Sequence, residues 1–305
     1  MRRVRITFEP PSSVFEALHK FGGVLLYGIP EFRLPKKLLE QEINELKKLG
    51  VEFTANVIVG KTISFDELLN EYSYAFIGGG AGLPLFLNIK GENLNGVCSA
   101  NEYLTRANLM KAYLPNSRTP IKIGKEVIVV GAGNVAMDAA RVALRLGSKV
   151  TILYRRSFDE MPARNEEIHH AAEEGINFEL LSAPVEILGE NGFVSGVKCI
   201  KMKLGELDKS GRKSPIPIKN SEYILPADLV IVALGTTPNP LLKSALPDIE
   251  LNKNNTFKVG KDLQTSIDRI YAGGDVVTGA ATVISAMEQG KAAAREILKK
   301  MNNVE

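Results

Sequence analysis

The sequence predicts an α/β fold with parallel sheets, and three features of the chain support this prediction. First, short apolar runs typical of buried strands alternate with segments of helical periodicity along most of the chain. Second, a strand, a glycine turn, a helix and another strand follow one another between Lys125 and Tyr154. Third, a strand, a Gly-Gly-Asp turn and a long alanine-rich helix lie between Ile270 and Leu298. Such alternation favours helices packed in layers on parallel strands.

Length and composition limit the class of protein. The chain has 305 residues, enough for two domains, and 45% of them are apolar. No run of about 18 apolar residues occurs, so we expect no membrane partner. No apolar leader follows the basic first residues, so we expect a cytoplasmic protein. The net charge is +3 and the basic residues are scattered, so nucleic-acid binding is not expected.

The cysteines and histidines give no indication of a metal site. Cys98 and Cys199 are far apart and no CxxC occurs, so neither a redox dithiol nor an iron–sulfur cluster is expected within this chain. Both cysteines are interpreted as small buried apolar residues. His19, His169 and His170 have no metal-ligand spacing and are interpreted as surface or packing residues.

The segment around Gly131 has the pattern of a dinucleotide-binding turn. Val127–Val130 is a β-branched run typical of a buried strand, and Gly131-x-Gly133-x-x-Ala136 follows it at the start of a helix. The first glycine permits the tight turn, the second lets a pyrophosphate approach the backbone, and the small third residue lets the helix pack close to the strand. A helix N-terminus then offers N–H groups to the phosphates. The alternative is a plain strand–turn–helix connection.

The residues after the next strand indicate which dinucleotide is bound. An acidic residue there accepts a hydrogen bond from the ribose 2′-OH of NAD. This chain has Arg155 and Arg156 instead. Two guanidinium groups suit the 2′-phosphate of NADP(H) through charge-assisted hydrogen bonds. The alternative is a pair of exposed surface arginines.

Two further regions have the pattern of flavin-binding elements. Ile270–Gly274 and Asp275 form a strand–Gly–Asp element of the kind that holds a ribityl chain, and a helix opening at Thr282 would point its N-terminus at the flavin. Near the start, Val14–Glu16 is a short strand that ends in an acidic residue. Gly235 lies at the crossover between the two predicted domains.

Three motifs identify a family. They are Tyr27–Pro35 (YGIPEFRLP), Gly131–Asp138 (GAGNVAMD) and Tyr154–Arg156 (YRR). With them the chain resembles the small, beta subunit of NADPH-dependent glutamate synthase. Relatives of that subunit include the large subunit of NADH-dependent ferredoxin:NADP oxidoreductase and the corresponding part of dihydropyrimidine dehydrogenase. The resemblance runs from about Val14 to the C-terminus. Thioredoxin reductases share the broader pattern but need a CxxC, which is absent.

The resemblance implies two sets of cofactor-binding residues and no catalytic residue, because the cofactors carry the chemistry. For FAD, the acidic strand end would bind the adenosine ribose and the Gly-Asp element the ribityl chain. The implied FAD residues are Glu16, Gly23, Leu25, Gly28, Arg33, Val57, Gly274, Asp275, Thr282 and Val283. The implied NADP(H) residues are Gly131, Gly133, Asn134, Val135, Ala136, Arg155 and Arg156, with Gly235 as a further cofactor-binding residue.

The chain departs from the family at its start. The family has an N-terminal domain with iron–sulfur clusters and opens its FAD domain with a GxGxxG turn, and this chain has neither. Gly78–Gly82 is interpreted as a crossover turn, since no helical pattern follows it, and Met1–Ser13 as a substitute strand. We therefore expect weak FAD binding. The open sheet position suggests a homodimer or a partner chain that supplies a strand.

The sequence as a whole predicts two Rossmann-like domains, with an NADP(H)-binding domain over residues 118–236 inserted into an incomplete FAD-type domain over residues 1–117 and 237–305. The predicted function is an NADP(H)-dependent flavin oxidoreductase subunit. Hydride would pass from NADPH to FAD, and electrons would continue to a large subunit or iron–sulfur partner. The alternative is an NADP(H)-binding module, or a remnant, without turnover of its own.

Overall fold

A computed structural model of the chain describes residues 12–208 and 211–302. These residues form two compact units, each made from more than one stretch of chain. Unit 1 comprises residues 12–23, 37–83 and 236–302, and unit 2 comprises residues 24–36 and 84–235. Both contain helices and parallel strands, which confirms the predicted fold class. Within the two described ranges, no helix combines the length and apolar character needed to span a membrane.

The helices and strands of the described residues have the following bounds. The helices are α1 (Val24–Tyr27), α2 (Lys36–Lys48), α3 (Phe65–Glu71), α4 (Ala100–Leu104, continued by a π-helical turn over Thr105–Leu109), α5 (Asn134–Arg145), α6 (Asn165–Glu173, preceded by a 3-10 turn over Phe158–Glu160), α7 (Pro240–Ala245), α8 (Asp275–Thr278) and α9 (Val283–Asn302). The strands are β1 (Ser13–Glu16), β2 (Glu52–Ala55), β3 (Ala75–Ile77), β4 (Leu83–Pro84), β5 (Val97–Ser99), β6 (Glu126–Val130), β7 (Lys149–Leu153), β8 (Asn177–Glu179), β9 (Ser182–Glu190), β10 (Phe193–Leu207), β11 (Lys213–Pro226), β12 (Leu229–Val232), β13 (Thr236–Thr237) and β14 (Ile270–Ala272).

Unit 2 is built on a five-stranded parallel sheet with strand order β5-β12-β6-β7-β8. The central strands β6 and β12 are rich in valine and isoleucine, which suit strands buried on both faces. Helix α5 contributes small residues to the same core, and Ala136, Ala139 and Ala140 are completely buried. The strand–helix–strand unit predicted between Lys125 and Tyr154 is confirmed.

Unit 2 also contains a three-stranded antiparallel sheet of order β11-β10-β9. The alternating patterns of Phe178–Ile187 and Phe193–Lys203 predict antiparallel strands, and the polar segment Leu204–Ser214 predicts a loop between strands. The sheet confirms the antiparallel strands, with two differences. The predicted strand Phe178–Ile187 is divided into β8 and β9, because Leu181 has a φ of 48° that breaks the extended backbone. The predicted loop Leu204–Ser214 is shorter, because β10 and β11 remain paired as far as Leu207 and Lys213.

Unit 1 contains two separate two-stranded parallel sheets, β1-β2 and β3-β14. Its apolar core includes Phe257 and Ile270, which are almost completely buried. The predicted strand Val14–Glu16 is confirmed as part of β1. Gly78–Gly82 connects β3 with β4 and opens no helix, as predicted. The strand predicted over Met1–Ser13 lies almost wholly outside the described residues.

The first boundary between the units differs from the predicted one. The prediction began the inserted domain at residue 118, whereas unit 2 resumes at Pro84 and also includes residues 24–36. Residues 84–117 belong to unit 2 because β5 extends the parallel sheet beside β12 and because α4 packs against α5. The boundary at Gly235 lies next to the predicted one.

Ion pairs hold residues 24–36 against the helices of unit 2. The Arg33 Nη1 atom lies 2.6 Å from Asp138 Oδ2 on α5, and its Nε atom lies 2.8 Å from Glu167 Oε1 on α6. Arg141 Nη1 reaches the second oxygen of Glu167 at 2.8 Å. The Phe32 ring also lies 4.5 Å from the Arg141 guanidinium. These charges are largely buried, and removing one partner would leave the other uncompensated.

We predict that the unfolding free energy of the wild type decreases as the pH rises from 4 to 7, and that Asp138→Asn removes this decrease. Desolvation raises the pKa of Asp138 to about 6, even though the Arg33 charge acts in the opposite direction. The folded pKa therefore lies above the unfolded value of about 3.9. The stabilisation from this carboxyl is thus present below pH 4 and is lost as the pH rises through 6.

Two pKa units correspond to about 3 kcal/mol. Urea denaturation at pH 4 and pH 7 gives the unfolding free energies of the wild type and of Asp138→Asn. The wild-type value minus the variant value should be lower at pH 7 than at pH 4, by up to about 3 kcal/mol. Asp159→Asn, at an exposed carboxylate, serves as the control. A difference between wild type and Asp138→Asn that stays constant with pH would contradict the prediction.

Candidate dinucleotide-binding sites

The glycine turn after β6 is fixed by both neighbouring strands. The Gly131 N–H donates to the Leu153 carbonyl at the end of β7, and the Ala233 N–H, just after β12, donates to the Val130 carbonyl. Gly131 has a φ of 128°, and a Cβ there would lie 2.3 Å from the Ala233 carbonyl oxygen. Only glycine fits this position, because a side chain would be strained and would also clash with the backbone.

Gly133, in contrast to Gly131, has free space where a side chain would lie. It is the N-cap of α5, and the nearest atom to a Cβ built there is Cγ of Pro162, 3.9 Å away. No protein atom therefore requires glycine at this position, and the space beside its backbone is open. The cap has no side-chain hydrogen bond, so the first N–H groups of this twelve-residue helix have no acceptor from the cap residue. A phosphate group fits such a site.

The residues after Gly133 support the turn. Ala136 is completely buried, which lets α5 pack closely on the sheet. The Asn134 Oδ1 atom accepts a hydrogen bond of 2.9 Å from the Arg164 N–H, which ties the start of α5 to the segment before α6. Val135 is exposed at 40%. Val135 is therefore the most exposed residue of the first turn of α5.

The two arginines after β7 have different environments. Arg155 is exposed, whereas Arg156 is 4% exposed. Arg156 Nη2 lies 2.5 Å from Asp208 Oδ2. Burial raises the pKa of the nearby Tyr154, and the positive charges of Arg212, Arg156 and Arg155 oppose that rise. Because β6 and β7 are parallel neighbours, this positive cluster and the glycine turn lie at the same edge of the sheet.

Gly235 lies at the end of unit 2. It has a φ of 107°, and a Cβ there would contact no atom within 4 Å. Its carbonyl accepts a hydrogen bond of 3.0 Å from the Leu85 N–H. The position therefore favours glycine for its backbone conformation rather than for close packing.

The residues that the resemblance assigns to FAD are divided between the units. Leu25, Gly28 and Arg33 lie in unit 2, where the Leu25 carbonyl accepts a 2.7 Å hydrogen bond from Lys36 Nζ. A Cβ at Gly28 would lie 2.7 Å from Val24 Cγ2, so Gly28 is closely packed. The Arg33 guanidinium is already occupied by two carboxylates, which leaves a flavin contact of Arg33 a prediction.

In unit 1, the start of the chain provides Glu16, Gly23 and Val57. Glu16 Oε1 accepts a hydrogen bond of 2.9 Å from the Leu18 N–H, and the Glu16 carbonyl accepts one of 2.9 Å from the Val57 N–H. Gly23 has a φ of 51°, and a Cβ there would contact no atom within 4 Å. The side chain of Glu16 thus lies at the carboxyl end of β1, as the sequence predicts.

The second element of unit 1 follows β14. Asp275 begins α8, and its Oδ1 atom accepts a 3.1 Å hydrogen bond from the Ala281 N–H. Desolvation raises the pKa of Asp275, and that hydrogen bond opposes the rise. Gly274, with a φ of 74°, donates its N–H to Gln289 Oε1 at 2.6 Å. Thr282 Oγ1 accepts from the Ser285 N–H at 3.2 Å, so it caps α9, which begins at Val283.

Sequence reasoning missed several partners of these residues. Asp208 lies in a segment whose polar composition predicts a loop, and no local pattern links it to an arginine 52 residues earlier in the chain. Gln289, which holds the Gly274 backbone, lies in an alanine-rich helix without a distinguishing motif. Asp138 belongs to the glycine motif, but no pattern in the sequence indicates that it pairs with Arg33.

The fold and the glycine turn together define an α/β nucleotide-binding protein with two units, and comparison with known proteins identifies its family. The family model described as pyridine nucleotide-disulphide oxidoreductase matches residues 11–290. The chain therefore belongs to the pyridine nucleotide-disulphide oxidoreductase family. The structure of Mycobacterium tuberculosis FprA in complex with NADPH has the same fold, with a TM-score of 0.79 at 19% identity over 96% of this chain and 78% of that chain.

Two curated relatives are more similar in sequence. The chain is 40% identical over 289 residues to the NADP(+)-dependent formate dehydrogenase subunit beta of Moorella thermoacetica, which covers 93% of this chain and 40% of that protein. It is 36% identical over 292 residues to the NADPH glutamate synthase small chain of Halomonas elongata, which covers 93% of this chain and 62% of that protein. These similarities confirm the resemblance found from the motifs. The chain spans about half the length of these relatives.

We predict that substitutions at the two turn glycines have opposite consequences. Gly131→Ala should lower the unfolding free energy by about 2–5 kcal/mol, because it adds backbone strain and a clash with Ala233. Gly133→Val should leave the melting temperature nearly unchanged and abolish NADPH binding, because its side chain would fill the open space. Thermal denaturation and fluorescence titration with NADPH measure the two effects.

Gly133→Ala is the matched control, since it adds a single methyl group and should weaken binding less than valine does. Normal NADPH binding by a folded Gly133→Val variant would show that the site is assigned to the wrong turn. An unchanged melting temperature for Gly131→Ala would show that the turn does not depend on this glycine.

Proposed function

We propose that this protein is an NADP(H)-dependent flavin oxidoreductase subunit, in which unit 2 binds NADP(H) and unit 1 binds FAD. The observation that carries the proposal is the open backbone of Gly133 at the N-terminus of α5, beside the arginines that follow β7. A diphosphate fits the first feature, and an additional phosphate on the ribose fits the second. The structure of FprA with NADPH supports the proposal at the level of the fold.

In unit 2, the residues of this chain would bind and orient the dinucleotide. Gly133, Asn134 and Val135 would offer backbone N–H groups to the diphosphate. Arg155 would donate to the 2′-phosphate from the surface of the protein, and Arg156 from a buried position. Gly235 would border the nicotinamide end, since it follows β12 at the same edge of the sheet.

In unit 1, the predicted FAD residues lie at the carboxyl ends of two parallel pairs. Glu16 would accept hydrogen bonds from the adenosine ribose, with Val57 at the adenine. Asp275 would accept from the ribityl hydroxyls, and Thr282 and Val283 would bring the N-terminus of α9 to the flavin. The half-buried Asp275 carboxylate fits this role, because a ribityl hydroxyl would satisfy an acceptor that burial makes costly.

When both cofactors are bound, the nicotinamide supplies a hydride and the flavin accepts it. The protein binds and orients the cofactors and excludes water, and no side chain of this chain is required as an acid or a base. The relatives are named as a subunit beta and a small chain. This supports electron transfer onward to a partner subunit, with the identity of the final acceptor set by that partner.

We predict that Arg155→Ala weakens NADPH binding about tenfold or more and changes NADH binding little. The substitution removes a charge-assisted hydrogen bond of about 1.5–3 kcal/mol that only the 2′-phosphate can make. Adding Arg156→Ala should weaken NADPH binding further for the same reason. Titration of each variant with NADPH and NADH, followed by fluorescence, gives the two dissociation constants.

Lys149→Ala is a suitable control, because it removes one positive charge at the opposite end of the same strand, β7. It should leave both dissociation constants unchanged. Equal losses for NADPH and NADH in Arg155→Ala would rule out a contact with the 2′-phosphate.

We predict that Asp275→Ala weakens FAD binding about tenfold, because it removes a hydrogen bond of about 1.5 kcal/mol to the ribityl chain. Flavin fluorescence on titration with FAD measures the dissociation constants of the wild type and of the variant. Asp275→Asn keeps an acceptor for the Ala281 N–H and separates loss of binding from disorder of the turn.

Asp268→Ala, at an exposed carboxylate of the same unit, controls for the change in charge. An Asp275→Ala variant that binds FAD like the wild type would remove Asp275 from the flavin site.

A further inference from the structure

The Arg156 guanidinium is buried and only partly satisfied. Its side chain is 5% exposed, and Nη2 lies 2.5 Å from Asp208 Oδ2. Among the described residues, Nε and Nη1 are buried and have no hydrogen-bond partner. A guanidinium has five N–H donors, and unsatisfied buried donors are costly. This arrangement favours the arrival of a further acceptor with several oxygen atoms.

Asp208 is held in place by the connection between β10 and β11. Its N–H donates to the Arg212 carbonyl at 2.8 Å, and its carbonyl accepts from the Gly211 N–H at 2.9 Å. These bonds fix the backbone, so the carboxylate is directed at Arg156 by its own turn. Asp208 comes from the antiparallel sheet, and Arg156 follows the parallel sheet, so the tertiary structure alone brings them together.

The carboxylate of Asp208 and a phosphate compete for the same donors. Both are oxyanions that take charge-assisted hydrogen bonds from a guanidinium. A 2′-phosphate that approached Arg156 would meet the negative charge of Asp208 at short range, whereas the uncharged 2′-OH of NAD(H) would not.

We propose that Asp208 is a specificity-determining residue of the nucleotide site. Its carboxylate is paired with Arg156 before the nucleotide binds, and the 2′-phosphate must displace it from Arg156. This competition lowers the preference for NADP(H) over NAD(H). This inference rests on the proposed binding of NADP(H) by unit 2. It assigns Asp208 a positioning role, since it acts through Arg156 on the nucleotide.

The first test is the ratio of the NADH and NADPH dissociation constants. In Asp208→Asn the ratio should rise about tenfold, because NADPH binds more tightly and NADH does not. Asp208→Glu keeps the charge and should stay close to the wild type. A ratio that is unchanged or lower in Asp208→Asn would overturn the proposal.

A double-mutant cycle separates this role from a merely structural one. In an Arg156→Ala background, Asp208→Asn should change the ratio clearly less than in the wild type, because release of Arg156 no longer contributes and only the direct effect of the Asp208 charge on the 2′-phosphate remains. An effect of the same size in both backgrounds would overturn the proposal. If neither the wild type nor any variant binds NADPH or NADH, the proposed function itself fails. If the wild type binds NADPH but the ratio does not respond to Asp208→Asn, only the proposal for Asp208 fails.

A measurement on the wild-type chain needs no variant. Hydrogen–deuterium exchange of the peptide that contains Asp208 and Gly211 can be measured without ligand, in the presence of 2′,5′-ADP and in the presence of 5′-AMP. The two ligands differ only in the 2′-phosphate. We expect faster exchange with 2′,5′-ADP alone, because displacement of the carboxylate loosens the turn. Equal exchange with both probes would overturn the proposal.

Discussion

The parallel pairing of β6 with both β7 and β12 is the constraint on which the proposed nucleotide site of unit 2 depends. Each pair of strands ends at the same edge, so the glycine turn, the arginines and Gly235 are brought together there although they are far apart in sequence. Gly131 connects the three strands, because its N–H bonds to one neighbour while its missing side chain admits the carbonyl of the other. The placement of the proposed site residues therefore depends on the register of the sheet.

Unit 2 also depends on matched buried charges. Arg33, Arg141 and Arg156 are largely buried, and each is paired with a carboxylate from a different element. Such pairs contribute little net stability compared with apolar contacts, but they penalise arrangements in which a partner is misplaced. The pairs of Arg33 fix the position of residues 24–36 on α5 and α6. The pair of Arg156 links the antiparallel sheet with the segment that follows β7.

Unit 1 uses a different arrangement. Its parallel strands form two separate pairs, and its core comes mainly from β3, β14 and the segments around α3 and α7. The carboxylates proposed to bind FAD belong to different pairs, since Glu16 ends β1 and Asp275 lies shortly after β14. Local hydrogen bonds to Leu18 and Ala281 orient them, so their geometry is set by short turns rather than by a continuous sheet.

The sequence by itself determined the fold class, the strand–turn–helix unit at Gly131, the antiparallel strands and the family, because each is encoded in residues close together in the chain. Periodicity, glycine spacing and β-branched runs act over a few residues, so they can be read without coordinates. Only the tertiary structure decided that residues 24–36 and 84–117 belong to unit 2, that Arg156 is buried, and that Asp208 faces it. Those features depend on ion pairs and strand neighbours separated by tens of residues, and no local pattern specifies which distant charge a buried arginine will meet.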